Sequence, residues 1–148
     1  MQKTRARRSR HAERRRHSQP PDQSRQQVAA GGMCDEHGAA LLSMASAIVG
    51  DEQRAEAIVV EVICAASSSA PLVASTDDVR FGLACRVYRE CGGLQALADA
   101  ALPDRQRIAV AMVRPGGLNY REVAGLLGLS TTEVADLLGA GLRSRALI

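Results

Sequence analysis

The strongest constraint in this chain is a pair of helix-start signals placed eleven residues apart. Asn119 precedes one helical run, with Glu122 three residues on. Ser130 precedes another, with Glu133 three residues on. An Asn or Ser at such a position accepts from a backbone N–H of the first turn, while the glutamate reaches back to the cap's own N–H. Leu118 and Val123 bracket the first box, and Leu129 and Val134 the second, at the spacing of a hydrophobic staple. Both starts are therefore fixed, and only a short helix and the turn Gly128-Leu129-Ser130 fit between them. Gly128 tolerates the positive φ of a tight turn. Ala124 is small enough to lie where the second helix crosses the first. Val123, Leu127, Leu129, Val134, Leu137 and Leu138 supply shared apolar contacts. The pattern predicts a helix-turn-helix, a motif that places its second helix in the major groove of DNA.

The rest of the chain reads as helix too. Aromatics are limited to Phe81, Tyr88 and Tyr120, and there is no Trp. That argues against a β-sandwich or barrel and against base-stacking platforms for single strands. Apolar residues recur at helical spacing from Leu41 to Val49, ending at Gly50, and from Ala55 to Ala66 behind an Asp51 cap. Ser67-Ser68-Ser69-Ala70-Pro71 is expected to break the second helix. Ser75 and Asp78 form a box for a third, whose stripe runs Val79, Leu83, Ala84, Val87, Tyr88 and Cys91 before Gly92-Gly93 stops it. Residues 94–101 read as a short helical connector. Leu102-Pro103 opens a further helix through about Val113, and Pro115-Gly116-Gly117 turns the chain.

Charge is divided unevenly. Residues 1–32 hold nine of the 19 Lys and Arg and two of the 16 Asp and Glu, a balance of +7, so the remainder carries −4. The first 32 residues have almost no large apolar side chains and are expected to be a disordered basic tail. Three readings of that tail stand side by side. Met33 is the true first residue and the start is mis-assigned; the tail is an arm that adds salt-sensitive affinity for nucleic acid; or it is a targeting segment. No apolar run of 18 residues occurs, so no membrane partner is expected, and the chain reads as cytoplasmic.

Catalytic signals are sparse. The chain has no Gly-rich phosphate loop and no nucleophile elbow, and His11, His17 and His37 lie in or near the tail. It is not expected to be an enzyme. Cys34-x-x-His37 is half a metal site without a second half, so neither metal nor cofactor is expected. Cys64 and Cys85 fall in apolar stretches and read as small buried thiols.

Several motifs together resemble a known family. Leu102-Pro103-Asp104-Arg105-Gln106-Arg107, then Gly117-Leu118-Asn119-Tyr120-Arg121-Glu122-Val123-Ala124, then Leu127-Gly128-Leu129-Ser130 and Val134 resemble the promoter-binding region 4 of bacterial sigma-70 factors of the extracytoplasmic-function type. The upstream stretch Leu42 to Ala66 is similar to a degenerate sigma region 2. Glu56 and Glu61 match polymerase-gripping positions there, while Ala57 and Val60 stand where the family has Asp and Gln.

The resemblance implies an all-α architecture: the tail at 1–32, a region 2-like unit at 33–92, a linker at 93–101 and a region 4-like unit at 102–148. It implies promoter DNA and core RNA polymerase as partners, with an anti-sigma protein as a further candidate. Arg107 and Arg121 match positions near the DNA backbone, and Thr131, Thr132, Ala135 and Asp136 match groove-facing ones. With Arg105, Arg143 and Arg145 as further phosphate contacts, these residues form the expected DNA interface. The alternative expectation is a degenerate sigma-like protein-interaction module with little DNA binding. It draws on the second helix, which has no Arg, Lys, Asn or Gln from 130 to 142.

Overall fold

The structure is a computed structural model and describes residues 21–69 and 75–146. Among the described residues there are seven α-helices and no strand: α1 (Pro21–Val49), α2 (Glu52–Ser69), α3 (Thr76–Glu90), α4 (Gly93–Asp99), α5 (Leu102–Val113), α6 (Tyr120–Leu127) and α7 (Thr131–Ala146). The expected all-α fold is what is seen.

Local signals set most boundaries. Asp51 Oδ1 accepts from the Arg54 N–H at 2.9 Å and starts α2. Ser75 Oγ accepts from the Asp78 N–H at 3.1 Å and starts α3. Gly50, with φ +75°, reverses the chain between α1 and α2, which pack side by side as the most extensive helix pair. Gly92, with φ +105°, allows the abrupt passage from α3 into α4.

Two boundaries differ from expectation. The disordered basic tail is expected over 1–32, but α1 begins at Pro21, so residues 21–32 are helical. Pro fits a first helical position and Asp22 suits the positive end of the helix dipole. Gln23, Gln26, Gln27 and Ala29 are good or tolerable helix residues and continue a helix nucleated by its buried half, although Gly31 and Gly32 each cost about 1 kcal/mol. Most of this extension stays outside the core: Asp22 to Ala29 are exposed, Val28 at 77%, and Ala30 alone packs against it. Residues 1–20 lie outside the described residues. α2 ends at Ser69, inside the Ser67–Pro71 run expected to break it, so the three serines themselves are helical. The Ser67 and Ser68 hydroxyls donate to the Cys64 carbonyl at 2.8 and 3.2 Å, and Ser69 donates to Ala65 O at 2.9 Å. Each hydroxyl is satisfied within helical geometry, so the serines continue the helix.

The helices share one apolar core. It runs from Leu41 and Met44 on α1 through Val59 and Val62 on α2 and Val87 on α3 to Met112 on α5. It continues to Val123 on α6 and Val134 on α7. α5 packs on both α1 and α7. The segments expected as two units therefore meet directly, α1 against α5, rather than only through the connector.

Candidate nucleic-acid interface

The second half of the chain builds the helix-turn-helix as its cap signals require. Asn119 Oδ1 accepts from the N–H groups of Arg121 and Glu122, both at 3.0 Å, and the Asn119 N–H donates to Glu122 Oε2 at 2.8 Å. At the second box the Ser130 N–H and O–H each donate to Glu133 Oε2 at 2.8 Å, and the Glu133 N–H donates to Ser130 Oγ at 3.2 Å. These bonds favour the charged carboxylate and hold the exposed Glu133 below the usual glutamate range. Leu118, Val123 and Val134 are buried and Leu129 is partly so, which places both staples against the core.

The turn is equally specific. Gly128 adopts φ +64° and ψ +30°, its N–H donates to the Ala124 carbonyl, and the Leu129 N–H donates to the same oxygen at 3.1 Å. This is the hydrogen-bond pattern of a helix end in a left-handed cap. The axes of α6 and α7 bend by 107° across it, within the range of helix-turn-helix motifs. Ala124 is buried beside the turn.

Seating on α5 explains a residue that a helix would otherwise avoid. Gly141 is buried, and a Cβ there would lie 2.8 Å from Val110 Cγ2 and 3.2 Å from the Gln106 carbonyl oxygen. The missing side chain lets α7 approach the backbone of α5. Gly139 has a different setting. A Cβ there would meet the Arg143 guanidinium at 3.3 Å, because Arg143 lies across it.

The residues expected at the DNA interface divide by their surroundings. Thr131, Thr132, Ala135, Asp136, Arg121 and Arg143 are exposed. Arg145 belongs to the last turn of α7, with its side chain outside the described residues. Arg105 is half-buried and Arg107 exposed, and both also bond backbone carbonyls. Arg105 donates from Nε to Ala100 O at 3.0 Å and from Nη2 to Ala98 O at 3.1 Å, filling carbonyls at the end of α4. Arg107 donates from Nε to Ala47 O at 3.2 Å near the end of α1 and pairs with Asp104 at 3.1 Å. Helix C-termini carry negative partial charge and unfilled carbonyls, so cations settle there. The positions matched to polymerase contacts, Glu56 and Glu61, are both exposed on α2.

Two features escaped the sequence reading. A groove of about 360 Å³ lies between α4, α5 and α7, lined by the apolar Leu97, Leu102, Leu129 and Leu137 and by the charged Arg105, Glu133 and Asp136. Arg80 on α3 reaches across to the α5–α6 turn, where a Cβ on Gly117 would lie 3.1 Å from Nη1. Neither can be found from periodicity, since both join elements distant in sequence.

Cys64 is exposed rather than buried, because it lies one position beyond the Val59, Val62, Ile63 stripe. Cys85 is half-buried and Cys91 buried. Desolvation raises the pKa of Cys85 and of Tyr88, and pushes that of Cys91 up to about 11. Among the described residues no group of three or more His, Cys, Asp or Glu is placed to hold a metal ion. Among them, too, no single helix is long and apolar enough to cross a membrane.

No family model, curated protein or solved structure matches this chain.

Proposed function

We propose that this chain is a cytoplasmic sigma-70-like transcription protein of the extracytoplasmic-function type, whose helix-turn-helix contacts promoter DNA together with core RNA polymerase. The observation that carries the reading is the capped α6–α7 pair, bent by 107° over a left-handed Gly128, with Thr131, Thr132, Ala135 and Asp136 exposed on the second helix. Such a helix enters the major groove while the first crosses the backbone. Arg121 and Arg143 are exposed and supply phosphate contacts. Exposed Glu56 and Glu61 on α2 are the proposed contacts to polymerase, and an anti-sigma protein is a further proposed partner.

A second reading rests on a specific observation. Arg105 and Arg107 are bound to backbone carbonyls, and the chain beyond residue 32 carries a net charge of −4. Both lower DNA affinity and favour a sigma-like module that binds polymerase without reading DNA.

One experiment separates the two. The full chain is titrated onto promoter fragments across a salt series, beside capture of core polymerase. DNA binding that weakens with salt, together with polymerase capture, supports the first reading. Capture without DNA binding supports the second, and loss of both refutes the sigma reading.

A further inference from the structure

We infer that α3 is a second phosphate-binding element, whose Arg86 and Arg89 hold, beside Arg121 of α6, the sugar-phosphate strand of the duplex that α7 meets. The inference rests on the DNA-binding reading above and adds a contact surface outside the helix-turn-helix.

The α3–α4 segment follows α6 along its length. Near the start of α3, Arg80 reaches the turn that leads into α6, where a Cβ on Gly117 would lie 3.1 Å from its Nη1. At the other end α4 packs on α6, and a Cβ on Gly128 would lie 3.9 Å from Leu94 Cδ2. Between these points the Cys85 thiol, raised chiefly by burial, also feels the charges of Arg89 and Glu122. The outer side of the paired segments is basic. Arg86 and Arg89 are exposed one turn apart on α3, and Arg121 is exposed at the start of α6. None of the three forms an ion pair among the described residues, whereas Arg80 pairs with Asp77 and Arg107 with Asp104. Nearby acids are engaged elsewhere: Glu122 accepts from the Asn119 N–H, and Asp78 accepts from the Ser75 hydroxyl. Glu90, next to Arg89, is exposed and offsets part of the charge.

The surface between these arginines is low. By helical spacing Gly82 lies on the Arg86 and Arg89 side of α3, and Gly125 on the Arg121 side of α6. A Cβ on either would meet nothing within 4 Å, so no neighbouring side chain accounts for a glycine inside these helices. Each costs helix stability relative to Ala, and each leaves room for a phosphodiester strand to approach the helix backbone. Phe81 is half-buried and Tyr88 buried, so this face offers no ring for an opened base. A paired duplex held by its phosphates is the ligand that fits.

The full chain is titrated onto a random-sequence duplex across a salt series. Arg86→Ala and Arg89→Ala should each lower the slope of log affinity against log salt by about 1, as Arg121→Ala should, because each phosphate contact releases condensed counterion. Arg86→Lys and Arg89→Lys keep the charge and should keep the slope. All these variants should retain the far-ultraviolet circular dichroism and urea midpoint of the native chain, since the three side chains are exposed. A slope lowered by Arg121→Ala but unchanged by both α3 variants would overturn the inference and leave the DNA-binding reading intact. A fall in affinity at unchanged slope, not rescued by lysine, would also overturn it, since that marks a structural role. Absence of salt-sensitive binding to any duplex would overturn the DNA-binding reading, and the inference with it.

Discussion

Two glycines two residues apart on α7 should respond to the same substitution in opposite directions. Replacing Gly by Ala inside a helix gains about 1 kcal/mol through propensity. At Gly139 the added methyl meets only the Arg143 guanidinium, at 3.3 Å, the far end of a flexible and exposed side chain that can swing aside. Gly139→Ala should therefore keep most of the gain. At Gly141 the methyl would sit 2.8 Å from Val110 Cγ2, 3.2 Å from Gln106 O and 3.3 Å from Gln106 Cβ. The carbonyl belongs to the backbone of α5 and moves only if that helix moves. Overpacking of this kind costs about 1–3 kcal/mol, which cancels or exceeds the propensity gain. Because propensity enters both variants equally, the difference between them isolates the close approach of α5 and α7 and should reach about 1–3 kcal/mol. Urea unfolding followed by far-ultraviolet circular dichroism measures it. In a thermal scan each kcal/mol should move Tm by about 4 °C for a domain of this size. Val110→Ala should soften the cost of Gly141→Ala, since neighbouring substitutions couple. Equal stabilisation by both glycine replacements would refute the packing of α7 on α5.

Other expectations concern the motif and its charges. Ala124→Leu places a large side chain at a buried position beside the turn and should cost about 1–3 kcal/mol; DNA binding should be lost, and unchanged affinity in a gel-shift assay would show the motif to be misplaced. Arg121→Ala and Arg143→Ala should each reduce the slope of log affinity against log salt by about 1. Arg105→Ala and Arg107→Ala should leave that slope unchanged but lower stability by about 1 kcal/mol through lost carbonyl bonds, as read from urea midpoints. Glu133 has a depressed pKa, so its capping contribution is fully present above the unfolded glutamate value of about 4.3 and fades as pH falls through the lower folded value. An amide chemical-shift titration of Ser130 should follow that transition, and Glu133→Gln should abolish it. In native protein at neutral pH, a thiol reagent should modify exposed Cys34 and Cys64 first and Cys91 last; early modification of Cys91 would contradict its burial.

The local grammar of the chain was readable without the fold. Caps, staples and glycine turns act within about four residues. Asn119, Ser130 and Gly128 accordingly placed α6, the turn and α7, and Ser75 placed α3. The start of α1 inside the basic tail and the exact end of α2 within the Ser67–Pro71 run are less legible, because their cues are weak ones. A proline reads as a break or a start depending on the residues after it, and serine hydroxyls fit a helix once they bond back to it.

Periodicity and capping are properties of neighbouring residues, and they suffice to specify an all-helical chain carrying a helix-turn-helix. Which backbone carbonyls the arginines meet is decided only once the chain has folded. Arg107 reaches Ala47, 60 residues away, and Arg105 fills the end of α4, because unfilled carbonyls at helix ends compete for cations and only folding brings the two together. The same holds for Gly141, which stands where two helices touch, and for the closure of α1 on α5. Those are distances between segments far apart in the chain, and no local pattern encodes them.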